Sequence, residues 1–424
     1  SSSGLINNNL TVGVNTAKAT ALKANANISF MGVKLAGAGF RLNESERTAF
    51  AQAGAYLDMM PRLIAGSDVT TRNQHRYVID AFGLSARELE SEHPVLFQHL
   101  VNTVKPGRMT LRRKSYRDLW WVFAEPRPAM RKAIDKLDRV IVTSEVSKHP
   151  TFVFEATHGV QFDGSVIVIA SDDAFHLGVM SSRIHETWKH NAGGTLEDRP
   201  RYQVGKTFDP FPFPADVPET LSNLVRTEAE ALDALRRRVL AEHADLTLTK
   251  LYNVLEAMRS SRALTDVERD IHDRGLVTMI LRHHDAIDVA VAEAYGWPAD
   301  LPEEEILTRL VALNRERASE ESRGLIRYLR PEFQDPGYQA PINDSLDLGE
   351  TVAPLPDNII VWPKDLPAQI GAVQSILSSS PEPLAAQDIA RAFKGKRAAT
   401  IRPVLDALAG VGLARRTGEG KYAA

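Results

Sequence analysis

The chain has no cysteine among its 424 residues, which excludes disulfides and thiolate metal sites. It also has no uninterrupted apolar run long enough to cross a bilayer, and no basic-then-apolar leader, so a cytoplasmic location without a membrane partner is expected. An initiator methionine is missing; the opening "SSSG" fits processing, an expression scar or a fragment equally well. The signatures of familiar chemistry are absent too. There is neither a G-x-x-x-x-G-K-[ST] phosphate loop nor a G-x-S-x-G nucleophile elbow. "VKLAGAGF" (33–40) has the G-x-G of a methyl-donor loop without the acidic ribose partner that should follow, and reads as a tight turn between strands. What is present describes a soluble globular protein: 43% hydrophobic residues, 25% charged residues and a formal net charge of -3. A chain of this length makes two or three domains.

Near-neutrality hides a polarised distribution. Residues 101–150 carry twelve bases against five acids, whereas 300–350 carry twelve acids against six arginines. Nucleic-acid binding depends on such local clusters, so the first window points to a polyanion partner and the second to a solvated or protein-facing role. Scattered solvated charge is the alternative for the basic window.

Short β-rich runs separated by Pro, Gly and Asp occupy the first half: "YRDLWWVF" (116–123), "DRVIVTSEV" (138–146), "TFVFEAT" (151–157) and "GSVIVIASDD" (164–173) are predicted strands. In "DAFHLGVMSSRIHETWKH" the period changes, and Leu177, Met180, Ile184 and Trp188 fall on one face of a predicted helix that ends at Gly193-Gly194. The loop beyond it would present Thr195, Asp198, Arg199 and Arg201 beside the strands, and "FDPFPFP" (208–214) would close the lobe, because proline lacks the amide donor that a ladder needs. After residue 215 the texture is helical. Leu221, Leu224, Val225, Leu232, Leu235 and Val239 make a stripe, and Thr265 with Glu268 forms a capping box. A loop rich in Asp, Pro and Gly (331–358) precedes a last unit, in which "PLAAQDIARAF" and "ATIRPVLDALAGVGLARRTGEGKYAA" suggest two short helices and a glycine-turned hairpin. That order is winged-helix-like. Its Arg397, Arg402, Arg415, Arg416 and Lys421 suit either phosphate contact or a protein-docking role.

Metal and base-flipping signatures fail on spacing. His185 and His190 are five apart in "HETWKH", not the four of H-E-x-x-H, and His283-His284 would need ligands from elsewhere, so His185 and the His283-His284 pair read as structural. "FDPF" approaches the Asp-Pro-Pro-Phe motif of amino methyltransferases, whose aromatic residue stacks on an extruded base, but proline and phenylalanine are exchanged.

Five strings together carry a resemblance: "TVGVNTAKATALKANANISFMGVKLAGAGFRL", "RLIAGSDVTTRNQHRYVIDAFGL", "SYRDLWWVFAEPRPAMRKAI", "FHLGVMSSRIHETWKHNAGGTLEDRPRYQVGKTFDPFPFP" and "LYNVLEAMRSSRALTDVERDIHDRGLVTMILRHHDAIDVAVAEAYGW". From about residue 5 to 340 the chain resembles the C-terminal half of MmeI-type DNA methyltransferases, which join nuclease, adenine-N6 methyltransferase and target recognition in one chain or keep only the modifying part. The resemblance implies an α+β, multidomain protein: 1–40 the end of, or connection from, a methyltransferase domain; 41–215 a mixed α/β target recognition domain; 216–340 an α-helical domain; 341–358 a linker; 359–424 the winged-helix-like domain. In such proteins the S-adenosylmethionine loop and the catalytic Asn/Asp-Pro-Pro-aromatic motif precede the matched segment. No cofactor, metal or catalytic residue is therefore expected in this chain, and S-adenosylmethionine is implied only for the complete enzyme.

The implied partners are double-stranded DNA and a methyltransferase core, in the same parent chain or as a separate subunit. Arg199 and Arg201 are candidates for bidentate bonds to guanine O6 and N7, with Thr195 on the same loop, and Lys206 suits phosphate. Arg72, Arg112, Arg113, Lys114, Arg117 and Lys148 are candidates for backbone contacts. Each arginine has an alternative in pairing with Glu197, Asp198 or Asp118. A rival from another class is a protein-interaction scaffold that docks partners through its helical and winged-helix lobes; a complete enzyme with an unfamiliar site is a third.

Overall fold

The structure is a computed structural model that describes residues 16–71, 74–149, 151–196, 199–337, 362–363, 365–379, 384–393, 398–410, 413–416 and 421–423. The chain divides into two compact units, Ser1–Ala340 and Pro341–Ala424, each with its own hydrophobic cluster.

Two four-stranded sheets organise the first unit. One has the order β1 (Ser29–Met31), β8 (Val166–Ile169), β5 (Arg139–Ser144), β6 (Val153–Ala156), antiparallel throughout. The other has the order β2 (Arg41–Leu42), β4 (Tyr77–Val78), β3 (Arg62–Ile64), β7 (Val160–Phe162), in which β3 and β7 run parallel. The predicted strands at 138–146, 151–157 and 164–173 are β5, β6 and β8. Every residue of β8 is buried, as are Val140 to Ser144 of β5, which is why these two read as unbroken β-branched runs: they are central strands covered on both faces. Residues 16–40 are built into this unit, since Ser29 pairs with Ile169 on β8. "VKLAGAGF" lies as a turn, with a one-turn 3-10 helix at Ala38–Phe40 leading into β2.

The predicted strand at 116–123 is instead the helical turn Lys114–Asp118 followed by turns. Its aromatics are anchored singly: Trp120 and Phe123 are buried, and the Trp121 indole donates to the Leu84 carbonyl at 2.9 Å. With those anchors in place, no neighbouring strand is needed. The predicted helix over 174–191 is two helices, Ala174–Ser181 and Arg183–Ala192. Ser182 breaks it by adopting an extended backbone and capping the second helix. The predicted face survives the break, since Leu177, Met180, Ile184 and Trp188 are all buried.

The helix Glu219–Glu242 packs against Ala174–Ser181 so closely that a Cβ on Gly178 would lie 2.5 Å from Val225 Cγ1. Most of its predicted stripe is buried, but Leu224 is 47% exposed. The helices Leu248–Arg259, Asp266–Arg274, Val277–Ala294 and Glu303–Ser322 follow, and residues on both sides of position 215 share one core. Asp266–Arg274 starts at the Thr265–Glu268 capping box.

The proline segment is held by its carbonyls. From 207 to 212, six successive carbonyls each accept a bond from outside the segment. Thr207 takes one from the Trp188 indole, and Phe208, Asp209 and Phe211 from the one Asn25 amide. Pro210 takes one from Asn314 and Pro212 from the Tyr295 hydroxyl. Prolines remove backbone donors, so the chain supplies side-chain donors to the acceptors that remain. Phe208, Phe211 and Phe213 fill the core between them.

In the second unit, helices Leu366–Ser379, Ala386–Arg391 and Ala398–Gly410 precede an antiparallel pair, β11 (Arg415–Arg416) and β12 (Tyr422–Ala423), with Leu384 bridging to Tyr422. The Leu366–Ser379 helix was not anticipated. Arg402, Arg415 and Arg416 are exposed; Arg397 lies outside the described residues.

Candidate nucleic-acid interface

The region after Gly193, read as a loop from sequence, forms a two-stranded antiparallel ribbon, β9 (Gly194–Leu196) and β10 (Arg199–Arg201). Thr195 stands opposite Pro200, and Arg199 opposite Leu196. The ribbon is fixed at its base. Ser147 donates its backbone N–H to Pro200, Tyr202 donates its own to Glu145, and a Cβ on Gly193 would lie 2.8 Å from the Arg201 carbonyl. Behind it, Tyr202 is buried with its hydroxyl 3.3 Å from His185 Nε2, while His185 Nδ1 lies 2.9 Å from the Met180 carbonyl. Burial, assisted by the Lys189 cation, pushes the His185 imidazolium down to about 3, so the ring is neutral and serves as a bracket.

Arg201 directs Nε and Nη2 to one carboxylate oxygen of Glu145, at 2.9 and 2.7 Å. Glu145, just past β5 and 56 residues away in sequence, supplies this partner; Glu197 and Asp198 lie outside the described residues. The pair borders a polar cleft of about 390 Å³ whose lining includes Arg41, Ser67, Arg76, Glu145, Asp163 and Ser165. Here Arg41 lies 3.3 Å from Asp163, and Arg76 2.8 Å from Asp68. Sequence reasoning missed Arg41 and Arg76. They reach the cleft because β2 and β4 pair, Arg41 opposite Val78, and no spacing rule announces that. Lys148 follows the 146–147 contacts with the ribbon, but its ammonium turns to the Leu248–Arg259 helix, 2.8 Å from Asn253 Oδ1 and 3.2 Å from Glu256. Lys206 is exposed on the single π-helical turn Val204–Phe208. Arg72 lies outside the described residues, and Thr195 and Arg199 are described only as backbone.

The basic window divides into a structural and an exposed part. Arg108 is 1% exposed and donates through Nη2 to the carbonyls of Leu35 and Val122; burial lowers its pKa, and Nε and Nη1 have no hydrogen-bond partner among the described residues. Arg131 clamps Asp80 with both terminal nitrogens, Arg139 pairs with Glu230, and Arg127 with Glu125. These four hold the fold together. Arg112, Arg113 and Lys114 are exposed on one short projection, with the Arg113 guanidinium stacked 5.0 Å from the Tyr116 ring. Arg117 braces this projection from below by donating to the Leu111 and Arg112 carbonyls.

His185, His283 and His284 make contacts within the fold. His190 is exposed while His185 is buried, His284 accepts from or donates to the Tyr252 hydroxyl at 2.8 Å, and His283 pairs with Glu228. Among the described residues no group of His, Asp and Glu could hold a metal ion, and no helix is long and apolar enough to cross a membrane. Asp209, the acid of "FDPF", is pushed up to about 6 by burial, and its neighbouring phenylalanines are core residues that cannot stack on a base.

With this geometry in view, the family model of the MmeI target recognition domain matches residues 11–215. Residues 11–215 are a target recognition domain of the MmeI family. The MmeI-type fold extends further: the chain is similar to the solved type IIL restriction-modification enzyme MmeI in complex with DNA, at 18% identity and a TM-score of 0.57, over 74% of this chain. The match spans 39% of that enzyme's chain. Among curated proteins nothing matches this chain. The recognition domain therefore contains both four-stranded sheets, the ribbon, the cleft and the basic projection, and its boundary at 215 falls at the end of the proline segment.

Proposed function

We propose that this chain provides sequence-specific duplex DNA recognition for a restriction-modification enzyme of the MmeI type, with adenine-N6 methyl transfer supplied by a core outside the described residues. The match of residues 11–215 to the recognition-domain family carries this reading. Supporting it, the ribbon bears arginines at 199 and 201 beside a polar cleft, on a base made rigid by His185, Tyr202 and the proline segment. Base readout needs donors held at fixed positions, and a ribbon of two strands is narrow enough for the major groove. In this assignment Arg199 and Arg201 read base edges, with Arg201 exchanging Glu145 for the DNA, and Thr195 lies alongside. Lys206, Lys148, Arg72 and the Arg112, Arg113, Lys114 and Arg117 projection grip phosphates. S-adenosylmethionine belongs to the core: the Asp209-Pro210-Phe211 segment does not fit a donor or base pocket, because its carbonyls and rings are committed to the fold. The Pro341–Ala424 unit is read as a winged-helix-like module.

The test is duplex binding across a salt series. A slope of log K against log salt between about -3 and -7 is expected from the counterions released by several phosphate contacts. Lys114→Ala should weaken all sequences alike and flatten the slope by about one unit, whereas Arg199→Ala should cost roughly 1–3 kcal/mol on the cognate site and relax one base position. No binding at low salt, or identical behaviour of the two variants across a randomised duplex library, overturns the assignment. A labelled-methyl transfer assay addresses the chemistry: incorporation by this chain alone would refute the placement of the core.

A further inference from the structure

From 359 to 424 the chain carries nine Lys and Arg against five Asp and Glu, a positive balance in a protein whose formal net charge is -3. Three of these cations stand on adjoining elements of the second unit. Arg402 is exposed on the Ala398–Gly410 helix, whose other face buries Ile401, Val404, Leu405 and Leu408. Arg415 and Arg416 make up β11, and both are exposed. Among the described residues β11 is an edge strand: it pairs with β12, Arg416 opposite Tyr422, while Tyr422 meets Leu384 on its other side through two backbone bonds of 2.8 Å.

Tyr422 ties the helix to the strand. Its side chain is buried, its hydroxyl donates to Asp406 Oδ1 at 2.6 Å, and the Arg416 guanidinium lies 5.9 Å from its ring centre. The bond to Asp406 raises the Tyr422 pKa and the Arg416 and Arg402 cations oppose the rise, so both arginines stand near this one hydroxyl. Asp406 follows Arg402 at the spacing of a helical ion pair. Yet none of Arg402, Arg415 and Arg416 forms an ion pair with another described residue. A single exposed arginine is simply solvated, whereas three on one continuous surface, beside one engaged carboxylate, make a local positive field.

We propose that this surface grips the sugar-phosphate backbone of duplex DNA, through Arg415 and Arg416 on the ribbon and Arg402 on the helix, without reading base sequence. The planar fork of arginine fits a phosphate. Base readout needs side chains that reach a base edge with free donors or acceptors. Beside Arg402 the helix exposes Pro403, Asp406 and Ala407, which are a ring without a donor, a carboxylate engaged by Tyr422 and a methyl group. The proposal rests on the reading that residues 11–215 bring this chain to duplex DNA. A duplex held by one unit is then presented to the other at high effective concentration. An acidic protein segment, the competing occupant, has no such presentation.

The test measures duplex binding by the full chain across a salt series. Three phosphate contacts at about 0.9 each predict that the slope of log K against log salt becomes less negative by about 2–3 when Arg402→Gln, Arg415→Gln and Arg416→Gln are combined, with an equal loss of affinity on every member of a randomised duplex library. Ala407→Lys, which adds a cation to the same exposed face, should steepen the slope by about one unit, a gain that unfolding cannot mimic. A wild-type slope in the triple variant overturns this proposal alone, since Lys114→Ala still reports on the recognition domain. Absence of duplex binding by the unmodified chain overturns the recognition reading and this proposal with it. A loss confined to particular base sequences would show reading in place of gripping, and a triple variant that keeps duplex binding but no longer binds polyglutamate would give the surface to an acidic protein; either result overturns the proposal.

Discussion

Acid should loosen the ribbon's root through His185, and the size of the effect follows from its burial. The ring is 0% exposed, its Nδ1 faces the Met180 carbonyl, its Nε2 faces Tyr202, and its folded pKa is about 3 against an ordinary 6.5. Between those values the unfolded chain holds the proton and the folded one does not. Stability from this group is therefore complete above pH 6.5 and is lost as pH falls, by about 1.4 kcal/mol per unit. Down to about pH 4.5 the loss from His185 is on the order of 2.7 kcal/mol. The wild-type curve will not display this directly. His284 contributes a loss of the same sign, its folded pKa also being about 3. Asp209 and Asp288, raised to about 6 by burial, bind protons first in the folded state and so gain stability as pH falls below 6. His185→Asn isolates one member of the set, because Asn does not titrate and keeps a donor for the Met180 carbonyl. Urea unfolding at pH 7 and at about pH 4.5 should show the variant losing about 2–3 kcal/mol less than wild type between the two conditions. Parallel pH dependences in the two proteins would refute the assignment of a buried, neutral His185.

Three further outcomes separate scaffold from surface. Asn25→Leu should destabilise the first unit by about 1–3 kcal/mol in urea unfolding, because its amide reaches the Phe208, Asp209 and Phe211 carbonyls and, although the first two keep backbone donors from Phe211 and Leu22, the buried Phe211 carbonyl loses its side-chain donor. A cost within about 0.5 kcal/mol, the level of an ordinary surface change, would show the segment to be held otherwise. Arg108→Met should lower stability by about 1–3 kcal/mol, chiefly through the Val122 carbonyl, since the Leu35 carbonyl keeps the Ala124 N–H, yet leave the DNA affinity and salt slope of the folded protein unchanged. A flattened slope would mean that this arginine reaches phosphate after all. Glu145→Gln, which releases Arg201 from its carboxylate, should raise DNA affinity at low salt by a factor of about 2–5, in line with a partly exposed pair worth up to about 1 kcal/mol; weaker binding in a filter or fluorescence assay would place Glu145 itself on the DNA.

Much of this protein was legible in its residues because the encoding is local. The unbroken β-branched runs of β5 and β8 report burial on both faces, the 177, 180, 184, 188 face reports a helix packed on one side, and Thr265 with Glu268 closes a capping box within one turn. The five strings that resemble MmeI-type enzymes likewise identify the recognition domain without any structure, and the family match over 11–215 agrees with them. Tertiary structure alone decided what each charge does. Nothing in the basic window distinguishes Arg108, inside the fold on two carbonyls, from Lys114, 82% exposed at its side chain. The cleft with Arg41, Arg76 and Glu145 exists only because strands far apart in sequence pair, and the proline segment stands because Asn25 and Asn314 meet it from 183 to 186 residues before and 104 after. A repeat of two or 3.6 residues tells a chain which face to bury. It carries no information about which distant carboxylate or carbonyl a guanidinium or amide will meet, since that partner is chosen by the packing of whole elements.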